Sequence, residues 1–277
     1  MPVRERIRCQ TDEVPQVVAL YRHPVKGFTP ECRAELTVQE DGRIGGDRVL
    51  AFRFADATHP EERDGLDYWP KSKGLALQDF PALARLEVTY DEHVRRVRVA
   101  SGTRTLVEAG LDGAGRRDLA AAVTEFVLAS PEAERLHAPG RLPLVLVGDG
   151  VTSRFQDRPR GFVSVHTRES AEALDAVLPA SIDDRRFRSN IVIAGAEAFS
   201  ELDWTGAVRI GDVTFAPQGP IVRCLATHAD PDTGERDAPV LTTLTRRFDQ
   251  QKPTLGRLLL PFTGGGVVRV GDEVAVL

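Results

Sequence analysis

Short apolar runs separated by turn residues recur along almost the whole chain, and this pattern limits its fold more than any other feature. Segments 16–22, 32–39, 47–55, 85–90, 94–100 and 103–108 are rich in Val, Leu, Ile, Phe and Thr, the residues that favour strands. They predict a small barrel or meander over residues 16–110. The polar stretch 56–73, with Pro60, Gly65, Trp69 and Pro70, is too long for a simple hairpin turn. A loop of that length either borders a site or is a plain surface insertion.

The pattern changes at 113–130, where Leu119, Val123, Phe126 and Val127 share one helical face and Pro131 follows the expected stop. Strands are expected again at 142–147 and 162–165, then a short amphipathic helix at 168–178 ended by Pro179. Further strands are expected at 187–194, 207–210, 213–216, 221–227, 258–262, 267–270 and 274–277, with a helix at 241–250. Runs of strands with occasional helices and no regular βαβ alternation predict an α+β, mainly β fold with antiparallel pairing.

A chain of 277 residues can bury a proper core as two modest domains or one large one. Net charge is −5 with both signs interspersed, and no dense basic face of the kind that binds nucleic acid is present in the sequence. No window approaches the roughly 20 apolar residues of a membrane span. Residues 1–13 lack the apolar stretch of a signal peptide, so a cytoplasmic location is expected. Cys9, Cys32 and Cys224 are odd in number and form no C-x-x-C pair, which argues against a disulfide framework and a protein-only zinc site. The sequence has no G-x-G-x-x-G after a strand, no Walker loop, no G-x-S-x-G and no H-E-x-x-H. Asp230-Pro231-Asp232-Thr233-Gly234 reads as a turn between strands rather than a calcium loop.

Three segments together resemble one family. Val17-Val18-Ala19-Leu20-Tyr21-Arg22-His23-Pro24-Val25-Lys26, followed by Gly46-Asp47-Arg48, is similar to an opening strand, a Y-P-V-K-S turn and a D-R pair. Arg186-Phe187-Arg188-Ser189-Asn190-Ile191-Val192-Ile193 is similar to R-F-R-x-N-I-V-I, and the segment from Val222-Arg223-Cys224 to Gly234 is similar to R-C-x-x-T-x-x-D-P-D-T-G. These are motifs of the MOSC proteins, and more narrowly of the branch with mitochondrial amidoxime-reducing components and YcbX-like proteins. The resemblance runs from Gln16 to Leu277. It implies a MOSC N-terminal β-barrel-like region at 16–110 and a MOSC β-barrel domain with peripheral helices at 111–277.

The resemblance further implies a molybdenum cofactor, with Cys224 as the thiolate ligand to the metal. A soft sulfur donor suits that metal, and the neighbouring Arg223 favours the thiolate. The alternative for a lone cysteine in a strand is packing as a small hydrophobe. Lys26, Arg48 and Arg188 take the positions that contact the cofactor's phosphate and pterin, and Asn190 offers a donor and an acceptor to the pterin edge. On a strand, Arg188 and Asn190 would face the same side.

Two positions depart from the family pattern. Gly27 stands where a serine is common, leaving its backbone N–H in place of a hydroxyl. Asp157-Arg158-Pro159-Arg160-Gly161 replaces D-x-S-P, so Asp157 keeps its place near the substrate while two arginines are added. That change points to an anionic substrate or to a different grip on the cofactor.

The function implied is reduction of N-hydroxylated compounds, such as hydroxylamines and amidoximes, with electrons from a separate iron–sulfur, haem or flavin protein. The rival is a non-catalytic carrier of the cofactor or of sulfur on Cys224. A thiol enzyme pairing Cys224 with His228 is disfavoured, since i and i+4 on a flat strand lie roughly 13 Å apart.

Overall fold

The computed structural model describes residues 14–262 and 264–277, so Cys9 and the charged N-terminal stretch fall outside the described residues. Seventeen strands and four α-helices alternate with short 3-10 turns, which makes the fold α+β and mainly β. The principal element is an eight-stranded sheet. Its order is Val274–Val276, Val208–Ile210, Val213–Val222, Thr254–Pro261, Val163–Thr167, Ile191–Ala194, Gln16–Arg22 and Glu31–Arg33. The sheet curls until its ends approach one another: Val274 N–H donates to Pro15 O at 2.7 Å and Gly271 N–H to Val17 O at 2.8 Å. Strand Gly266–Arg269, paired with Glu35–Val38, lies across the same end.

Every pairing in this sheet is antiparallel except one. Val163–Thr167 and Ile191–Ala194 run parallel because helix Arg168–Asp175 crosses between them. Thr167 starts that helix as its N-cap, its Oγ1 accepting from Ser170 N–H at 3.3 Å. A single crossover therefore sits inside an otherwise antiparallel sheet.

Two large apolar cores result, beside smaller clusters around Leu174, Leu244 and Leu255 and around Trp69 and Phe155. One lies inside the curled sheet and joins Val17, Leu20, Leu36 and Ile44 to Val163, Ile191, Phe215 and Leu259. The other lies under the meander Glu87–Asp91, Arg96–Ser101 and Arg104–Gly110, where Val88, Tyr90, Val97 and Val99 alternate inward. Helix Gly113–Leu128 closes this second core with Leu119, Val123 and Val127, and Asp112 caps its first turn. Phe126 sits at the edge of that face, half-buried under the Arg85 guanidinium. The second core also holds Leu144 and Leu146, beyond the helix. Strand Gln16–Arg22, by contrast, lies deep in the eight-stranded sheet between Ile191–Ala194 and Glu31–Arg33.

The expected strand 32–39 divides at Ala34, and two more expected strands are interrupted near the motifs. Residues 187–194 begin instead as a 3-10 turn, Asp184–Phe187, followed by Arg188 in the left-handed region at φ 52°. The strand starts only at Ile191, so Arg188 and Asn190 do not share strand parity. Residues 221–227 break after Val222, and Cys224 precedes the 3-10 turn Leu225–His228. The polar stretch 56–73 holds a small hairpin, Glu61–Arg63 with Leu66–Tyr68.

Candidate functional site

The broken strands open a cleft of about 370 Å³ between the two cores, lined among others by Lys26, Gly27, Arg48, Asp157, Arg188, Asn190 and Cys224. All the residues singled out in the sequence thus meet at one place. Lys71, at the end of the long polar loop, lines it too, so that loop borders the cleft.

Backbone strain positions the inner cations. Arg48 and Arg188 both adopt φ 52°, which an L-residue with a long side chain occupies at a cost. Each is held there by the chain around it: Arg48 N–H donates to His23 O at 2.7 Å, and Arg188 N–H to Arg185 O at 3.1 Å. Gly27 turns at φ 86°, and a Cβ there would meet Leu75 O at 2.9 Å, so the departure from serine suits a tight backbone approach.

The inner cations crowd one another. Arg188 is pulled down to about 10 by burial and by the neighbouring Arg48 charge. One of its donors, Nη1, is spent on Phe28 O at 2.6 Å. Lys26 is also lowered by burial, against the opposing pull of Asp157, to which its Nζ donates at 2.5 Å while also donating to Phe155 O at 2.9 Å. Desolvation in the cleft works against the Asp157 charge, but the Lys26 ammonium wins and holds the carboxyl well below its ordinary range. Asp47 pairs with Arg48 and accepts from His23 N–H at 2.7 Å, and Arg48 keeps it ionised despite burial.

Asn190 departs from expectation. Its Oδ1 accepts from Ser164 Oγ at 2.8 Å and its Nδ2 donates to Tyr21 O at 3.2 Å. That amide ties three strands together, leaving one N–H to spare for a ligand. Ser164, which carries no motif signal, was not legible as its partner.

Cys224 is half-buried at the cleft wall, between exposed Val222 and Leu225. Arg223 beside it is built into the frame, donating to Leu255 O and Phe187 O, both at 2.7 Å, and burial lowers it to about 10. Arg186 is likewise spent, on Asp237 at 2.7 Å, Asp230 at 3.2 Å and His228 O at 3.1 Å. The Asp230 carboxylate closes the DPDTG segment as a turn, accepting from Asp232 and Thr233 N–H at 3.0 and 2.8 Å. His228 accepts the Leu241 N–H through Nε2 at 3.2 Å, so it is engaged as a helix partner rather than as a base for Cys224.

Eight side chains lining the cleft are cationic and one, Asp157, is a carboxylate. In a chain of net charge −5 this concentrates positive potential at one opening. The arrangement suits a polyanionic ligand whose other end reaches a thiol. A cofactor with a phosphate and a thiolate-binding metal fits those donors: soft sulfur at Cys224, and guanidinium donors at Arg48 and Arg188.

Parts of the chain are similar to known proteins. The MOSC domain pattern matches residues 152–275. Molybdenum cofactor sulfurase of Drosophila grimshawi is 40% identical over 79 residues, 28% of this chain and 10% of that protein. Human mitochondrial amidoxime-reducing component 1 is 31% identical over 114 residues, 38% of this chain and 33% of that protein. The chain thus spans a third or less of the curated relatives it matches. Among solved structures, the YuaD protein of Bacillus subtilis superimposes with a TM-score of 0.38 at 12% identity, covering 95% of this chain and 94% of that one. The three motifs gather on one cleft, and the MOSC domain pattern matches residues 152–275 of the chain.

Proposed function

We propose that the cleft holds a molybdenum cofactor and that the protein reduces N-hydroxylated compounds with electrons from a separate iron–sulfur, haem or flavin protein. The supporting observation is the meeting of one half-buried thiol with a cluster of cations in one cleft. The names of the matched relatives, a molybdenum cofactor sulfurase and an amidoxime-reducing component, support this choice of group and of substrate class.

In this reading Cys224 is the protein's ligand to the metal, and Arg48 and Arg188 hold the phosphate through their remaining donors. Lys26 acts at one remove, tying Asp157 and Phe155 to the cleft wall. Asp157 then faces the substrate as a fixed carboxylate. Asn190 keeps the floor in register and gives its spare N–H to the pterin edge, with the Gly27 backbone close by. When bound, the cofactor supplies a two-electron centre that accepts the substrate's oxygen. The overall change breaks the N–O bond of an amidoxime, takes up two electrons and two protons, and releases an amidine and water.

A carrier of the cofactor, or of sulfur on Cys224, is favoured by one observation: the exposure of Val222 and Leu225 leaves the thiol within reach of a partner protein. Expression with cofactor synthesis intact, followed by metal analysis of wild type beside Cys224→Ser, tests both readings. We expect stoichiometric molybdenum in the first and its loss in the second, with turnover of benzamidoxime by an artificial donor in the wild type alone. A cofactor carrier would hold molybdenum without turnover, and wild type without molybdenum would overturn both the reductase and the cofactor carrier, leaving only a sulfur carrier.

A further inference from the structure

The cleft cations fall into tiers. Arg186 and Arg223 are consumed by the frame, and Lys26, buried, forms an inner set with the half-buried Arg48 and Arg188. Lys71, Arg158 and Arg160 form an outer set at the mouth, and they make no ion pair among the described residues. The one carboxylate lining the cleft, Asp157, is taken by Lys26 below them.

The segment carrying the two arginines is fixed rather than loose. Arg43 donates to Pro159 O at 3.2 Å from one side, and Lys26 grips Phe155 O and Asp157 from the other. Arg158 also leans over the Phe162 ring at 5.9 Å. Cations without an ion-pair partner among the described residues, on an anchored rim, leave charged donors free for an anion. The inner set already suffices for one phosphate.

We propose that Lys71, Arg158 and Arg160 form a second anion subsite at the cleft mouth that selects substrates bearing a carboxylate or phosphate beyond the reducible N–O group. This rests on the functional reading above and names its substrate class. The same chemistry would also accept a second phosphate on an extended form of the cofactor, and the test separates the two sources.

The test compares benzamidoxime with 4-carboxybenzamidoxime on the molybdenum-loaded protein, in wild type and in Arg158→Ser and Arg160→Ser. Without reductant, calorimetric titration reads binding; with an artificial donor, kcat/KM is measured. Wild type should prefer the carboxylate in both measurements, the preference falling about tenfold for each arginine removed and weakening with salt. Equal handling of both compounds by wild type, or a preference that survives both substitutions, overturns the subsite. Loss of molybdenum in the arginine variants also overturns it, by assigning the outer set to the cofactor. Failure to reduce either compound counts against the functional reading, while the titration still decides whether the mouth binds the anion.

Discussion

Arg48 and Arg188 share a backbone angle of 52° and share the cleft, and the coincidence has a physical reason. A left-handed residue reverses the local chain direction, which aims a long side chain across the strand ends instead of along the sheet face. The conformation costs roughly 1–2 kcal/mol for an L-residue and is kept where the surroundings over-determine it. Arg188→Gly removes that strain together with the bond to Phe28 O, two effects of opposite sign. We expect the melting temperature to change little while cofactor retention falls about tenfold or more, read by molybdenum content after gel filtration. At the same scale, His23 and His166 lie buried and are lowered to about 3, chiefly by burial, with Arg188 adding to the effect at His23 and Arg223 at His166. Their ordinary value is 6.5, so between 6.5 and about 3 the unfolded chain takes up protons that the folded chain refuses. Stability therefore falls as pH drops through that window, by about 1.4 kcal/mol per pH unit for each histidine. Urea midpoints at pH 7 and pH 5 should show the loss, and His166→Leu should reduce this histidine contribution to the slope by about half.

The elements are joined by buried polar groups that no local pattern advertises. Glu201, fully buried in the turn Ser200–Leu202, accepts from Ser170 Oγ at 2.8 Å, Thr167 Oγ1 at 3.1 Å and Gly256 N–H at 3.1 Å. It thereby fastens helix Arg168–Asp175 to strand Thr254–Pro261 behind the cleft. Burial raises its pKa, which those three donors oppose. Glu201→Ala would leave the donors unpaired, and we expect a loss of roughly 2–4 kcal/mol in urea unfolding. Gly256 beside it turns at φ 82°, where a Cβ would come within 2.5 Å of Val165 O. Helix and strand identities were largely legible from periodicity. The breaks at 188 and 223 were not, because tertiary bonds such as Arg223 to Leu255 O shape the chain there.

Over the whole molecule, the first strands belong with the last. Val17, Leu20, Leu36, Val38 and Ile44 complete the core of the curled sheet, and Gln16–Arg22 pairs with Ile191–Ala194 inside it. We propose that the MOSC unit includes residues 16–44 as well as the matched segment 152–275. Residues 152–275 expressed alone should then fail to fold, and co-expression with a fragment spanning 14–46 should restore a cooperative thermal transition by circular dichroism. A stable, folded 152–275 would refute that division. The sequence by itself determined the mainly β class and the helix over 113–128, because strand alternation, turn residues and helical periodicity are local properties, while the motif residues of the cleft were marked by family resemblance. Only the tertiary structure decided that Asn190 bonds Ser164 and Tyr21, that Lys26 holds Asp157, and that Lys71, Arg158 and Arg160 stand at one mouth without an ion pair among the described residues. Such pairings join residues far apart in the chain, and which partner a side chain finds depends on how the sheet curls rather than on its neighbours in sequence.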